Sequence, residues 1–322
     1  MKISLITPAK KHSKSGNRTT ALRWARMLRA AGHRVRIDLD YGGEATDLMI
    51  AIHAWRSADA IVRYRDRTPD GPLVVGLGGT DVNTFLLTEP ETTLRSMAMA
   101  DALICLHDLI GEALPAHLRA KLHVVRQSAL PLPGPRRPTK RTFDICVIGH
   151  LRAEKDPFRT ALAARRLPPE SHLRVIHLGK AHTAYFAAQA KSEMAVNPRY
   201  RWRGEVPGWR VRRELAKAHL MVISSTQEGG ANVVSEAVVA GVPVIASDIA
   251  GNVGLLGRDY PGTYPVGDEA ALADLLARAE TDPAFLAALA RHGRKLEPQF
   301  RPEHEQDALN RIVNSVARAV QA

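Results

Sequence analysis

The sequence has few of the features that mark membrane, secreted or nucleic-acid-binding proteins. Only 5% of its 322 residues are aromatic, and only two are cysteine. It contains no run of roughly 18 apolar residues, the length that a membrane-spanning helix needs. The segment 1–10 has only a short apolar stretch before a basic loop, which does not match a signal peptide. We therefore predict a cytoplasmic protein with no membrane partner.

The scarcity of cysteine also limits the chemistry that the chain can perform. Cys105 and Cys146 each lie within a short apolar run that is typical of a buried strand. Two isolated thiols without metal-ligand spacing form neither a disulfide framework nor a zinc site. We expect both thiols to be inert core residues.

Basic residues exceed acidic ones. The chain has 45 Lys and Arg against 33 Asp and Glu, a formal net charge of +12. This charge fits nucleic-acid binding, a small anionic substrate or simply an Arg-rich composition. The basic residues are scattered and aromatic side chains do not interleave with them, which argues against a nucleic-acid platform. A phosphate-bearing substrate is the favoured partner, and no nucleic acid is expected.

Short apolar runs alternate with helical patterns along the chain. The runs are rich in Val, Ile and Leu without polar alternation, which is typical of parallel strands covered on both faces. The predicted strands are 3–7, 35–39, 48–52, 73–75, 102–106, 143–148, 173–178, 220–224 and 242–246. Helices are predicted at 18–31 and at about 303–322. Three more are predicted: one that begins with Asp156 as N-cap and Pro157 in the first turn, one that ends at 191 and one that begins at 231. This alternation implies right-handed βαβ units.

A proline-rich segment divides the chain. Residues 129–139 hold four prolines in eleven positions, which excludes regular structure and is typical of an interdomain linker. We predict a first domain over 1–134 and a second over 135–302, with a terminal helix at about 303–322 that can pack back on the first. Each domain is expected to be a doubly wound, Rossmann-like α/β domain that binds ligands outside the carboxyl ends of its strands.

The strongest motif covers residues 224–246, where a buried strand, a glycine loop and a helix follow one another. Asn232 and Glu236 lie one turn apart and share a helix face. The helix is apolar on most sides and is expected to be buried. A buried carboxylate needs a defined partner, and paired ribose hydroxyls can donate to one carboxylate. The alternative interpretation is that Glu236 pairs with a nearby Arg and that the glycines only form a turn.

The loop before that helix predicts a site for an anion or for sugar oxygens. Glu228 lies at its mouth, and the backbone amides of the next three residues point outward at the helix N-terminus. These three residues are Gly229, Gly230 and Ala231.

Glu228 and Glu236 are separated by seven residues and followed by Ala-Gly-Val-Pro-Val-Ile-Ala-Ser. This stretch resembles the Glu-x7-Glu signature of family 4 retaining glycosyltransferases, which have the GT-B fold. The resemblance implies two Rossmann-like domains that face a central cleft, with no cofactor. It also implies that Glu228 approaches the donor sugar and that Glu236 binds the nucleotide ribose.

A second stretch, 149–157, connects the first strand of the second domain to its helix. Arg152 and Lys155 are predicted to flank the helix N-terminus, where two cations and the helix dipole favour an anion. By the same resemblance, these two residues hold the donor diphosphate and stabilise the leaving group, although a solvated basic loop is the alternative. Gly204 and Val206 resemble the stretch whose backbone reads the donor base.

In the first domain, candidate residues follow three predicted strands. Gly16, Asn17 and Arg18 occupy the position of the family's N-terminal glycine loop, and Gly16 permits close backbone approach. Thr80 and Asp81 lie where many relatives have a His-Asp pair, and offer a hydroxyl and a carboxylate but no imidazole. His53 also ends a strand and could face the cleft, although a lone histidine there is more often structural. No acid–base pair is evident from the sequence.

Stretches across almost the whole chain resemble a narrower group, the selenosugar synthases of selenoneine biosynthesis. They are 15–26, 149–158, 228–236 and 251–262. This resemblance implies that a UDP-sugar, UDP-N-acetylglucosamine (UDP-GlcNAc) or UDP-glucose, reacts with selenophosphate and releases UDP and phosphate. It implies a functional link to a selenophosphate-producing enzyme. We expect Arg18 and Thr80 to hold the acceptor phosphate.

Three alternatives stay open at this point. One is a family 4 glycosyltransferase that acts on a carbohydrate or lipid, and another is a non-catalytic protein that binds a nucleotide-sugar or a nucleic acid. A nucleotide-sugar epimerase of the same fold is the third. No acidic cluster indicates a metal site, so we expect activity without added Mg²⁺.

Overall fold

The computed structural model describes residues 1–13 and 15–319, and the chain divides into two compact units. The first comprises Met1–Gln127 together with the segment from Pro302, and the second comprises Ser128–Arg301. Lys14, two residues before Gly16, and residues 320–322, at the end of the predicted terminal helix, lie outside the described residues.

The first unit contains a six-stranded parallel sheet in the order β2-β1-β3-β4-β5-β6. Its strands are β1 Lys2–Ile6, β2 Arg34–Asp38, β3 Leu48–Ile52, β4 Leu73–Gly76, β5 Ala102–Cys105 and β6 Leu122–Val124. Its helices are α1 Gly16–Ala30, α2 Ala58–Arg67, α3 Leu86–Thr88, α4 Pro90–Met99, α5 Ile110–Ala113 and α6 Ala116–Arg119, with a π-helical turn at Asp81–Phe85. Every residue of β3, β4 and β5 is buried because helices cover both faces of the sheet.

The second unit contains another six-stranded parallel sheet, in the order β12-β11-β10-β7-β8-β9. Its strands are β7 Phe143–Ile148, β8 Leu173–Leu178, β9 Tyr200–Trp202, β10 Leu220–Ile223, β11 Val244–Ser247 and β12 Thr263–Tyr264. Its helices are α7 Arg159–Arg165, α8 Ala184–Val196, α9 Gly208–Lys217, α10 Asn232–Val239, α11 Ala250–Leu256, α12 Glu269–Thr281 and α13 Pro283–Leu296. Short 3₁₀ turns span Ala153–Lys155 and Glu297–Phe300.

The C-terminal helix, α14 Pro302–Ala319, packs into the core of the first unit. Leu309 and Val313 are fully buried there. The carboxylate of Glu305 is also fully buried; it accepts a hydrogen bond of 3.2 Å from Trp24 Nε1 and lies 3.6 Å from an Arg23 guanidinium nitrogen. Because an unpaired buried carboxylate is costly, these contacts fix where α14 lies against α1.

The strand order brings particular loops together. The chain leaves β1 toward β2 and then crosses to β3 on the other side, so the carboxyl ends of β1 and β3 form a topological switch point. In the second unit the corresponding point lies between β7 and β10. Ligands of open α/β sheets bind at such points.

The predicted doubly wound α/β architecture is confirmed, and 48–52, 143–148 and 173–178 agree with the strands of the structure. The predicted helix start at Asp156 is wrong. Asp156 has φ 41° and ψ 60°, the left-handed conformation, and α7 begins only at Arg159. Its carboxylate accepts a 2.8 Å bond from Arg159 Nε instead of capping backbone N–H groups.

Both thiols lie in the core as expected. Cys105 and Cys146 are buried and free. Burial raises the pKa of Cys105 to about 12 and also raises the pKa of Cys146, so both stay protonated and unreactive near neutral pH. Among the described residues, no helix combines the length and the apolar character needed to cross a membrane.

Candidate functional site

The switch point of the second unit brings two chemically distinctive loops side by side. One loop follows β7 and carries Arg152 and Lys155, and the other follows β10 and carries Glu228. Because β7 and β10 are paired in parallel, their carboxyl ends open at the same edge of the sheet. Open α/β sheets bind ligands at such an edge, so the two loops form the candidate ligand site.

A largely buried ion pair joins the two loops. Lys155 Nζ donates to Glu228 Oε1, and the hydroxyl of Ser225 donates to the same oxygen at 2.6 Å. The side chains of Lys155 and Glu228 are only 21% and 11% exposed. Removing one partner of such a pair leaves an uncompensated charge, so the two side chains fix each other's position.

Backbone contacts hold the loops together independently of the ion pair. Ser224 Oγ donates to the carbonyl oxygen of Asp156 at 2.9 Å, and the N–H of Thr226 donates to that of Glu154 at 2.9 Å. The left-handed conformation of Asp156 turns the chain sharply after Lys155. The Lys155–Glu228 pair therefore rests on a fixed frame.

Arg152 has a different environment from the one predicted. It is extended, with φ −155°, and its Nε lies 3.1 Å from the Glu154 carboxylate. Since α7 begins seven residues later, the two cations do not flank a helix N-terminus. Arg152 and Lys155 instead present their charges from the loop itself.

A series of hydrogen bonds between buried polar groups holds the residue that contacts Glu228. The hydroxyl of Ser247 donates to the carbonyl of Ser225 at 2.6 Å, and Asn252 Nδ2 donates to the hydroxyl and the carbonyl oxygen of Ser247 at 3.0 Å each. Ser225, Ser247 and Asn252 are all buried. Sequence reasoning missed these residues because small polar side chains at 225, 247 and 252 form no recognisable spacing.

Gly251, one residue before Asn252, allows the backbone of Glu228 to approach α11. A Cβ at position 251 would lie 2.4 Å from the Glu228 carbonyl oxygen and 2.8 Å from Glu228 Cβ. Only glycine fits this contact without a shift of the neighbouring backbone.

The glycine loop lies beside this pair and leads into α10. Gly230 has φ 132°, a conformation that favours glycine, and Ala231 is the residue before the helix. Asn232 and Glu236 lie on one face of α10 and are both partly buried. The structure therefore groups Glu228, Gly229, Gly230, Ala231, Asn232 and Glu236 around the start of one helix.

Gly204 and Val206 lie elsewhere in the sheet. They follow β9, which is two strands from β7. Gly204 has φ 68°, and its carbonyl oxygen accepts a 2.8 Å bond from the N–H of Gly179, which follows β8. They are thus tied to the loop after β8.

A buried histidine fixes the start of the Arg152–Lys155 loop. His177 Nε2 lies 3.1 Å from the Gly149 carbonyl oxygen, and Nδ1 lies 2.9 Å from the Tyr200 hydroxyl. Burial lowers the pKa of His177 to about 4, so the ring is neutral near pH 7. The neutral ring satisfies both neighbours when Nε2 donates to Gly149 and Tyr200 donates to Nδ1.

In the first unit, the candidate residues after β1 lie at the start of α1. Gly16, Asn17 and Arg18 form its first turn, which contains no acidic residue. Arg18 Nε is buried and has no hydrogen-bond partner among the described residues. A cation is unfavourable at a helix N-terminus unless an anion lies close by. This position is therefore suited to an anionic ligand.

The Thr80–Asp81 segment contains no imidazole of its own, but the ring of His53 lies beside it in the structure. The segment follows β4, and the neighbouring strand β3 ends at Ile52, directly before His53. His53 Nδ1 lies 2.7 Å from the Asp81 carboxylate, and His53 Nε2 lies 2.8 Å from Thr80 Oγ1. His53 is thus part of a His-Asp pair, although its two members come from different strands and are 28 positions apart.

Comparison with known proteins agrees with this architecture. The sequence model of the family described as glycosyl transferases group 1 matches residues 135–296. The glycosyltransferase 1 domain-containing protein 1 of Xenopus tropicalis is 24% identical over 291 residues, which are 81% of this chain and 83% of that protein.

Two solved structures have the same fold over nearly their full length. The sucrose-phosphate synthase of Thermosynechococcus elongatus has a TM-score of 0.75 at 18% identity, with 99% of each chain covered. Anabaena HepE in complex with UDP-glucose has a TM-score of 0.75 at 15% identity, with 98% of this chain and 100% of HepE covered. The chain therefore has the GT-B fold of these proteins, as predicted.

Two glycine-to-alanine substitutions in helices of the second unit should change stability in opposite directions. Gly251→Ala places a methyl group against the Glu228 backbone, and overpacking of this kind costs roughly 1–3 kcal/mol. Gly293→Ala, in α13, meets no atom within 4 Å and should gain roughly 0.5–1 kcal/mol. Urea denaturation measures the free energy of unfolding of both variants, and equal changes in the two would contradict the close approach at Gly251.

The pH dependence of stability should report the neutral state of His177. Burial lowers its pKa in the folded protein to about 4, below the ordinary value of 6.5, so protonation favours the unfolded chain. The neutral ring contributes fully to the free energy of unfolding above about pH 6.5, and this contribution declines as the pH falls toward 4. Between pH 7 and pH 5 the loss should be about 2 kcal/mol. His177→Gln should reduce the pH dependence by that amount in denaturation experiments, and an unchanged dependence would contradict a buried neutral ring.

Proposed function

The chain belongs to the group 1 glycosyl transferases, and from this membership we propose that it transfers a sugar from a UDP-sugar to selenophosphate. The donor is UDP-N-acetylglucosamine or UDP-glucose, and the products are a 1-selenosugar, UDP and phosphate. The observation that carries the proposal is the Lys155–Glu228 pair at the β7–β10 switch point, inside the segment that matches the family.

The donor assignment rests on the charges at this switch point. Lys155 and Arg152 offer two cations to a diphosphate, and the amides at 229–231 offer further donors at the start of α10. Glu236 lies one turn into α10 and is suited to the ribose hydroxyls. The UDP-glucose complex of HepE, which has the same fold, supports a UDP-sugar as donor.

The reaction requires charge to be neutralised on the departing UDP. Selenium attacks the anomeric carbon while the bond from that carbon to the β-phosphate oxygen breaks, and the electron pair leaves on UDP. Lys155 and Arg152 would stabilise this developing charge, and Glu228 would orient the sugar. Water then cleaves the P–Se bond of the product, which releases phosphate and leaves selenium on the sugar.

The acceptor assignment rests on the first unit. The unpartnered Arg18 Nε at the start of α1 offers a charge-assisted bond to a phosphoryl group. Thr80 exposes its hydroxyl after β4 and can contact the same small acceptor. The resemblance of the segments 15–26 and 251–262 to selenosugar synthases supports selenophosphate over a carbohydrate or a lipid.

Mass spectrometry of the reaction products tests the proposal. The purified protein with UDP-N-acetylglucosamine and fresh selenophosphate should yield a sugar with the isotope pattern of selenium, together with UDP and phosphate. Glu228→Gln keeps the shape of the side chain but removes its charge, and it should abolish most of the turnover. UDP release with a carbohydrate or lipid acceptor but not with selenophosphate would contradict the proposed acceptor, and intact donor with every acceptor would contradict the proposed activity.

The Arg18→Ala variant tests the acceptor site. Loss of one charge-assisted hydrogen bond, about 1.5–3 kcal/mol, should raise the KM for selenophosphate roughly tenfold to a hundredfold. The KM for the donor should not change, because the donor residues lie in the second unit. Arg26→Ala, on an exposed turn of the same helix, is the matched control and should have normal kinetics. An unchanged KM for selenophosphate in Arg18→Ala would remove Arg18 from the site.

A further inference from the structure

Asp81 is a completely buried carboxylate whose hydrogen-bonding capacity is filled by the surrounding backbone. The N–H groups of Ala54, Trp55 and Gly78 donate to it at 2.9, 2.9 and 2.7 Å. His53 Nδ1 lies 2.7 Å from the same carboxylate. Four neighbours that approach two oxygens match an ionised carboxylate, which only accepts hydrogen bonds.

This environment determines which ring nitrogen of His53 carries the proton. Because the carboxylate has no proton to give, the 2.7 Å contact requires an N–H on Nδ1. The backbone N–H of Arg56 also donates toward Nδ1, at 3.2 Å, but this contact is longer than the 2.7 Å contact with the carboxylate, and we assign the Nδ1 proton to the shorter one. In the neutral ring Nε2 is then an acceptor, and the Thr80 hydroxyl 2.8 Å away donates to it.

The hydrogen-bonded series of Asp81, His53 and Thr80 is buried at one end and exposed at the other. Asp81 and His53 are buried, whereas Thr80 is exposed at the carboxyl end of β4. A hydroxyl whose hydrogen is committed to His53 presents only its lone pairs to a ligand. The hydroxyl oxygen of Thr80 can therefore accept a hydrogen bond from a ligand.

Local backbone features indicate that this arrangement is fixed. His53 has φ 77°, a left-handed conformation that is uncommon for residues other than glycine and that concentrates at functional sites. A Cβ at Gly78 would lie 3.1 Å from His53 Cδ2, so glycine leaves room for the ring. The ring of Phe85 packs edge-on against His53, at 5.6 Å between centroids.

We propose that Thr80, His53 and Asp81 form a proton relay that removes the acceptor's proton during transfer; this inference rests on the proposed transferase function. As the acceptor attacks the anomeric carbon and UDP departs, the acceptor's proton passes to Thr80 Oγ1. The original hydroxyl proton of Thr80 passes to His53 Nε2, while the Nδ1 proton stays on the bond to Asp81. The resulting imidazolium returns its proton to water through Thr80 after the product leaves.

The relay fits an acceptor that still carries one ionisable proton. Monoprotonated selenophosphate is such an acceptor, because attack through selenium draws electron density from the group and makes the remaining proton more acidic. In this scheme Thr80 touches the acceptor, His53 acts through Thr80, and Asp81 fixes the ring orientation. The arrangement has the geometry of a hydroxyl, a histidine and an orienting carboxylate that recurs on unrelated folds.

Thr80 variants test the relay without disturbing the core. Thr80→Val keeps the shape of the side chain but removes the hydroxyl, and it should lower kcat roughly 10²-fold or more, as expected for the loss of general-base assistance. Thr80→Ser should restore most of the rate. Thr88→Val, an exposed threonine after the same turn, is the matched control.

Two results would overturn the relay. One is a Thr80→Val enzyme with the wild-type kcat. The other is a ¹⁵N NMR spectrum, assigned with His53→Gln, in which neutral His53 carries its proton on Nε2, since this ring could not accept from Thr80. The NMR measurement needs no acceptor. If the wild type uses a carbohydrate instead of selenophosphate, the proposed acceptor fails, while the same Thr80 comparison still tests the relay.

Discussion

The contact between Lys155 and Glu228 is the interaction on which the site of the second unit depends. A carboxylate and an ammonium group that are both largely buried are stable only when they pair. Their pairing requires the loops after β7 and β10 to meet, which follows from the strand order of the sheet. Ser225, Ser247 and Asn252 then hold Glu228 from behind, and Gly251 allows its backbone to approach α11. Because Lys155 is already held in place, binding of a donor diphosphate there would require little rearrangement of the protein.

In the first unit, too, a buried charged side chain fixes the position of a second side chain. Asp81 is buried and fully hydrogen-bonded, and it holds the His53 ring at the end of β3. The charge stays in the interior, whereas the group that faces outward is the neutral hydroxyl of Thr80. Arg18, at the start of α1, adds a positive charge whose Nε has no hydrogen-bond partner among the described residues. The carboxyl ends of β1, β3 and β4, which are consecutive in the sheet, carry all of these residues.

Much of the fold was predictable because buried parallel strands leave a clear pattern in the sequence. The run 48–52 is continuous and apolar, the run 143–148 is apolar except for Asp144, and both are strands with those bounds. The strands β9 and β12 were not predictable, because two or three residues are too few to carry a pattern. The Asp156-Pro157 pair predicted a helix start, but the contact of Asp156 with Arg159 and the hydrogen bonds from Ser224 favoured a left-handed turn. The proximity of Glu228 and Glu236 to one helix start was predictable from their spacing. The pairing of His53 with Asp81 was not, because it depends on the order of β3 and β4 in the sheet.

The central claim is that Lys155 holds the diphosphate of a uridine nucleotide at the β7–β10 switch point. Calorimetric titration of UDP and of uridine into the wild type and into Lys155→Met tests it most directly. The account predicts that the substitution weakens UDP binding roughly tenfold to a hundredfold, as one charge-assisted bond is lost, and leaves uridine binding unchanged. Equal UDP affinity in the two proteins would contradict it, as would an equal loss of affinity for UDP and for uridine.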